Sequence, residues 1–205
     1  MTDIKLNNST LATASGSTIS WGSGVPAGTV VNVIHAVMNT PHELTASGNG
    51  VFATIKNGNS GSTNLEAKIT LRNLSNKVLV TGYVSCSNIN QAEHTAIRLI
   101  RTISGQTVST NSNDTSSNII GSGANTGSRG RATTAYFTPI NTNRSVVLPI
   151  NTLDAPNTDQ EITYTVQYTS NSGNFLLNYT EDAVNVDNSA QHVGQSCITL
   201  MEIAQ

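Results

Sequence analysis

Leu65-Glu66-Ala67-Lys68-Ile69-Thr70-Leu71 alternates apolar and polar residues without a break. Successive side chains of a strand point to opposite faces, so this period of two puts Leu65, Ala67, Ile69 and Leu71 on one inward face. The same spacing returns at Glu161 to Tyr168, where Ile162, Tyr164, Val166 and Tyr168 share a face. Working outward, strand-like runs occur at Thr29 to Val37, Val51 to Ile55, Lys77 to Val84 and Ala96 to Ile103. Others follow at Ala132 to Phe137, Val146 to Ile150, Phe175 to Tyr179 and Cys197 to Ile203. Turn residues separate them, as at Val25-Pro26-Ala27-Gly28 and Asn73-Leu74-Ser75-Asn76. Nine or ten short strands with such spacing predict an all-β fold, a jelly-roll-like β-sandwich. The run Thr29 to Val37 is nearly continuous in apolar residues and predicts a strand buried on both faces or at a subunit contact. Asn90 to Arg101 partly fits a helical period and is read as a turn plus a strand.

Composition agrees. Asn, Ser and Thr supply 76 of the 205 residues, while charged residues make up 11%. Ordinary domains carry about 25% charged residues, and exposed helices are built from Glu, Lys, Arg and Ala. Thr suits a pleated surface, and Asn, Ser and Gly suit turns. The chain is hydrophobic enough, at 37%, to fold rather than stay disordered. A chain of this length buries about 70% of its unfolded surface and needs no staples.

Two parts are expected: an extended N-terminal arm over residues 1–24 and a sandwich over 25–205. The arm holds Ile4, Leu6 and Trp21 among Ser, Thr and Gly, too few apolar residues for its own core. Trp21 either anchors into a partner's groove or packs on its own domain. A long polar stretch at 104–131 ends in Arg129-Gly130-Arg131. Long loops of this kind are often functional. The two arginines either bind a carboxylate on a neighbour or are solvated. Ile4, Leu6, Trp21, Arg129 and Arg131 are therefore the candidate partner-binding residues.

Several function classes lack their signatures. The net charge of −2 without a basic block offers no footprint for nucleic acid or for a membrane surface. No apolar run approaches membrane-spanning length, and the first residues lack the pattern of a secretory signal. The chain is accordingly expected to be made in a cytosol. His35, His42, His94 and His192 have no metal-site spacing, and no cofactor is expected. Glu181, Asp182 and Asp187 read as a solvated loop rather than a calcium site. Asp154, Asp159 and Glu161 flank Pro156 in a loop and lack the aromatic-lined cleft of a glycosidase. The Gly-rich stretch 121–130 lacks the Lys-Ser/Thr of a phosphate loop. No enzyme is expected. Cys86 and Cys197 lie in strand-like runs, which favours buried thiols over a disulfide.

Four phrases fall in a recognisable order. They are Val25-Pro26-Ala27-Gly28-Thr29-Val30, Leu74-Ser75-Asn76-Lys77-Val78-Leu79-Val80, Ile97-Arg98-Leu99-Ile100-Arg101 and Ser196-Cys197-Ile198-Thr199-Leu200-Met201-Glu202-Ile203. Over residues 25–205 the chain resembles a family of small virion-surface proteins of tailed bacteriophages. That resemblance implies a trimeric jelly roll acting as a capsid decoration (cement) protein or as a tail-fibre tip. It implies contacts with other copies of the chain and with the major capsid protein or tail proteins, and nothing catalytic. In the decoration reading the arm binds the shell. In the tail-fibre reading, loops such as 104–131 and 181–195 bind host surface glycan, with Tyr164, Tyr168 or Tyr179 stacking on a sugar ring. Both place the chain on the virion surface, as a structural or host-attachment protein.

Overall fold

The computed structural model describes residues 2–6, 9–15, 18–21, 25–48, 51–88, 94–104, 106, 110, 118–124, 130–137, 145–171, 173–180 and 193–205. Every regular element among them is a strand. Three lie in the N-terminal segment: β1 (Thr2–Leu6), β2 (Ser9–Ser15) and β3 (Thr18–Trp21). They form their own antiparallel meander in the order β1-β2-β3. The arm expected from composition is thus a small sheet, built by backbone pairing where apolar residues are scarce.

The remaining strands form two sheets. The first contains β4 (Val30–Met38), β5 (His42–Leu44), β8 (Lys77–Asn88), β12 (Val146–Asp154), β14 (Phe175–Leu177) and β15 (Ser196–Ile203). The second contains β6 (Ala53–Thr54), β7 (Glu66–Ile69), β9 (His94–Ile103), β10 (Ile119–Ile120), β11 (Thr134–Phe137) and β13 (Ile162–Ser170). Several of these are halves of one interrupted strand. β14 and β15 both pair antiparallel with β8, at residues 86–88 and 77–83. Likewise β10 and β11 both pair with β9, and β6 and β7 both pair with β13. β4 and β5 run beside β15 and β14 in the same way.

Merging the halves leaves eight strand positions. In chain order they are β4/β5, β6/β7, β8, β9, β10/β11, β12, β13 and β14/β15. One sheet runs first-eighth-third-sixth and the other second-seventh-fourth-fifth, antiparallel throughout. This nested pairing of first with eighth and second with seventh is the jelly-roll topology. The strand expected near residues 96–103 is present as β9.

The core lies between the sheets. Val78, Val80, Leu148, Ile150, Ile198 and Leu200 from one sheet meet Ile69, Ile97, Leu99, Ile162, Tyr164 and Val166 from the other. Leu65, Ala67, Ile69 and Leu71 are all buried, as their alternation predicts. Of the two alternatives for β4, burial on both faces is not met within the chain. β4 is an outer strand of its sheet, with one face inward and Val33, His35 and Val37 exposed on the other. An unbroken apolar run does not say which face is covered, and within this chain only one is.

Gly82 explains how β8 and β15 approach so closely. A Cβ at this position would lie 2.3 Å from the carbonyl oxygen of Cys197 and 3.0 Å from the Cα of Ile198. Both are backbone atoms of the neighbouring strand, which cannot swing aside as a side chain can.

Candidate interaction surface

The candidate partner-binding residues separate into two places. Ile4 lies on β1 with its side chain exposed. Leu6 ends β1 opposite Ser9, and Trp21 ends β3 opposite Ala12. The meander thus brings the three apolar residues into one small sheet. Within it, Thr13 Oγ1 donates to Asp3 at 2.9 Å, and Lys5 and Asp3 form an exposed pair at 4.0 Å. β1 and β3 are its edges, and among the described residues neither pairs with a further strand; such an edge is a template for pairing with another chain.

Arg131 sits at the root of the segment between β10 and β11. Its Nε donates to the carbonyl of Gly123 at 3.3 Å, alongside the Gly123 N–H to Ala132 carbonyl bond at 3.2 Å. Arg129 lies outside the described residues, as do most of 104–131 and residues 181–192 with Glu181, Asp182, Asp187 and His192.

The acid singled out for chemistry has a structural task. Arg101 Nη1 donates to both carboxylate oxygens of Asp154, at 2.9 and 3.0 Å, and the Tyr164 hydroxyl donates to Oδ2 at 2.8 Å. Asp154 belongs to one sheet, and Arg101 and Tyr164 to the other, so the trio fastens the sandwich together. Burial and the neighbouring carboxylate push the Tyr164 hydroxyl far above its usual range. Glu161 makes only an exposed pair with Lys68 at 3.7 Å.

The tyrosines proposed to stack on sugar are corrected by burial. Tyr164, Tyr168 and Tyr179 are all buried. Tyr168 packs against Phe175 with ring centroids 4.6 Å apart, and its hydroxyl donates to the Thr45 carbonyl at 2.7 Å. Little of any of the three rings is left for a sugar to stack on. The reason lies in their period: Tyr164 and Tyr168 share the inward face of β13 with Ile162 and Val166.

The histidines make local hydrogen bonds. His35 Nδ1 lies 2.8 Å from Thr199 Oγ1, and His42 Nε2 lies 2.9 Å from Thr40 Oγ1. Among the described residues, no three His, Cys, Asp or Glu side chains gather as metal ligands. Cys86 and Cys197 are both free and buried, and burial pushes the Cys86 thiol well above its ordinary range.

The residue that sequence reading missed is Asn178. It is fully buried with φ 66°, where β14 ends. Its Nδ2 donates to the carbonyls of Met38 and Thr40, at 2.8 and 3.0 Å, and its Oδ1 accepts from Ser196 Oγ at 2.7 Å. Its N–H donates to Ser85 O, and its carbonyl accepts from Gly194 N. Asn178 therefore closes the root of the excursion between β14 and β15. The available signal was an Asn directly after the apolar run Phe175-Leu176-Leu177, since Asn tolerates the left-handed conformation.

One open cleft, of about 570 Å³, lies near β5 and β6. Leu44, Ser47, Phe52, Lys56, Asn59 and Tyr168 contribute to its lining. Behind it, the guanidinium of the fully buried Arg98 stacks 4.1 Å over the Phe52 ring and donates from Nε to Gln167 Oε1 at 2.8 Å.

Comparison with known proteins adds little. No family model matches the chain, and no curated protein matches it. Among solved structures, infectious bursal disease virus of the Gx strain aligns over 100% of this chain and 44% of that one. Identity there is 11% and the TM-score 0.41. The Gt strain of the same virus aligns over 94% and 42%, at 8% identity and a TM-score of 0.34. The chain thus spans less than half the length of these two chains. The jelly-roll assignment rests on strand order, not on these alignments.

Proposed function

We propose that this chain is a non-catalytic structural protein on the outer surface of a tailed-phage particle. In this reading it is a capsid decoration protein that assembles as a homotrimer, is made in the host cytoplasm and binds the shell through residues 1–24. The observation that carries the reading is the separate meander Thr2–Trp21, which pairs with neither sandwich sheet among the described residues and has two open edges. Such an edge gains main-chain hydrogen bonds by adding a strand from a partner. The sequence resemblance supports the particle surface as the place. The structural use of Asp154 and the burial of the tyrosines support a scaffold rather than a reaction site.

Labelled antibody on intact particles tests the location, and labelling confined to the tail overturns decoration. Deleting residues 2–22 is expected to leave a folded trimer that no longer incorporates into particles. Normal incorporation of the truncated chain overturns the role of the arm.

A tail-fibre or receptor-binding module is the second reading. The cleft beside Ser47 and Asn59 favours it, because amide and hydroxyl groups match sugar hydroxyls. Retained binding of host surface glycan that Asn59→Ala abolishes would support it over decoration.

A further inference from the structure

The outer face of the sheet containing β8 is apolar across all four of its strand positions. Cross-strand partners share a face, so the register defines its rows. Val33, Met201, Leu79 and Leu153 form one row across β4, β15, β8 and β12. His35, Thr199, Thr81 and Asn151 form the next, and Val37, Cys197, Tyr83 and Pro149 the third. Val147 and Val30 extend the face beyond these rows at opposite ends. Val33 and Leu153 are each 55% exposed, Val37 47% and Val147 60%. With Val30, five of the nine exposed large hydrophobics among the described residues lie here, so their apolar exposure is concentrated rather than scattered.

We infer that this face docks on the same face of a second copy of the chain, about a twofold axis. Three observations select that occupant. The first is self-complementarity: a polar row lies between two apolar rows. A twofold axis in the contact plane, along the strands or across them, sets apolar rows on apolar rows and the His35 row on its own copy. The second is charge. The three rows hold no Asp, Glu, Lys or Arg, and Lys77, which joins Ile203 and Val30 in the next row, is a single charge, too little to select an anionic polymer or surface. The third is size. Six residue steps along β12 and three strand spacings across give a plane of about 20 by about 15 Å, on the order of 300 Å² before side-chain relief. Two such faces bury on the order of 600 Å² in plan, short of the roughly 1,200 Å² at the lower end of a standard interface. The association is therefore weak and concentration-dependent, and it is additional to any threefold assembly.

Sedimentation of the full chain over rising concentration tests this. The mass is expected to double reversibly, from monomer to dimer or from trimer to a pair of trimers, with little change between low and high salt. Val33→Lys and Leu153→Lys are each expected to weaken the doubling about thirtyfold or more. Leu74→Lys, at an equally exposed leucine in the Asn73–Asn76 turn, leaves it unchanged. Unchanged circular-dichroism spectra and melting would establish that the variants are folded. A parent whose mass never doubles, or Val33 and Leu153 variants that associate like the parent, overturns the inference. Collapse of a trimer to monomers in those variants overturns the twofold geometry, because it places this face in the threefold contact instead.

Discussion

Replacing Asn178 with alanine removes three side-chain hydrogen bonds from a site closed to water. Two are donated to the carbonyls of Met38 and Thr40, and one is accepted from Ser196 Oγ. A hydrogen bond contributes about 1 kcal/mol net, and a buried group left without its partner costs about 1–3 kcal/mol. Three bonds lost together therefore cost about 3–4 kcal/mol. Alanine must also adopt φ 66°, which adds about 1 kcal/mol because its Cβ crowds the backbone and it has no polar side chain to compensate. The sum is about 4–5 kcal/mol, equivalent to a melting point roughly 10–15 °C lower for a chain of this size. Asn178→Gly separates the two contributions. It loses the same bonds without the conformational strain and is expected to fall about 1 kcal/mol less than alanine. Urea denaturation of the parent and both variants measures these differences. An alanine variant within about 1 kcal/mol of the parent refutes the assignment of Asn178 as the clasp of the β14–β15 root. A glycine variant less stable than alanine refutes the conformational part.

Asp154→Asn leaves Arg101 without its carboxylate and is expected to cost about 3 kcal/mol, while Tyr164→Phe costs about 1 kcal/mol; chemical denaturation of the double variant should show that the two are coupled. Gly82→Ala drives a Cβ against the Cys197 carbonyl and should cost about 2–3 kcal/mol in thermal melting, with wild-type stability refuting the close approach. Burial pushes Tyr168 up to about 12, and Tyr179, under burial and the nearby Glu43 charge, also up to about 12, from an unfolded value near 10. The folded state then holds more protons than the unfolded state between those values. Their stabilisation is complete below about pH 10 and declines at about 1.4 kcal/mol per pH unit for each ring as pH rises toward 12. Tyrosinate absorbance should therefore appear for these rings together with unfolding, and their ionisation near pH 10 in folded protein would contradict this.

Strict alternation made the sandwich legible. Leu65 to Leu71 and Ile162 to Tyr168 each carry enough residues for a period of two to be unambiguous, and each lies in the core as expected. What escaped was short or non-local. β10 is two residues long and β5 three, below the length at which any period exists. The joining of β14 with β15 into one strand position depends on β8, about a hundred residues away. The meander escaped because its pairing uses backbone groups, which every residue carries. Asn178 was visible only as an Asn after the apolar run Phe175-Leu176-Leu177, since its partners Met38, Thr40 and Ser196 come from two other segments. The exposed rows beside β8 were partly legible: Thr29 to Val37 pointed to a covered face or a contact, but register alone assembles four strands into one surface.

Three of the four interrupted strand positions open into excursions that can accept added chain. Each excursion from the jelly roll is laced shut where it leaves: by Ile55 and Leu65, by Gly123 and Ala132, and by Asn178 and Gly194. Beyond such a seam, doubling the length of the chain costs only about 0.6 kcal/mol in closure entropy. Foreign peptides grafted distal to these seams should therefore be displayed without disturbing the sandwich.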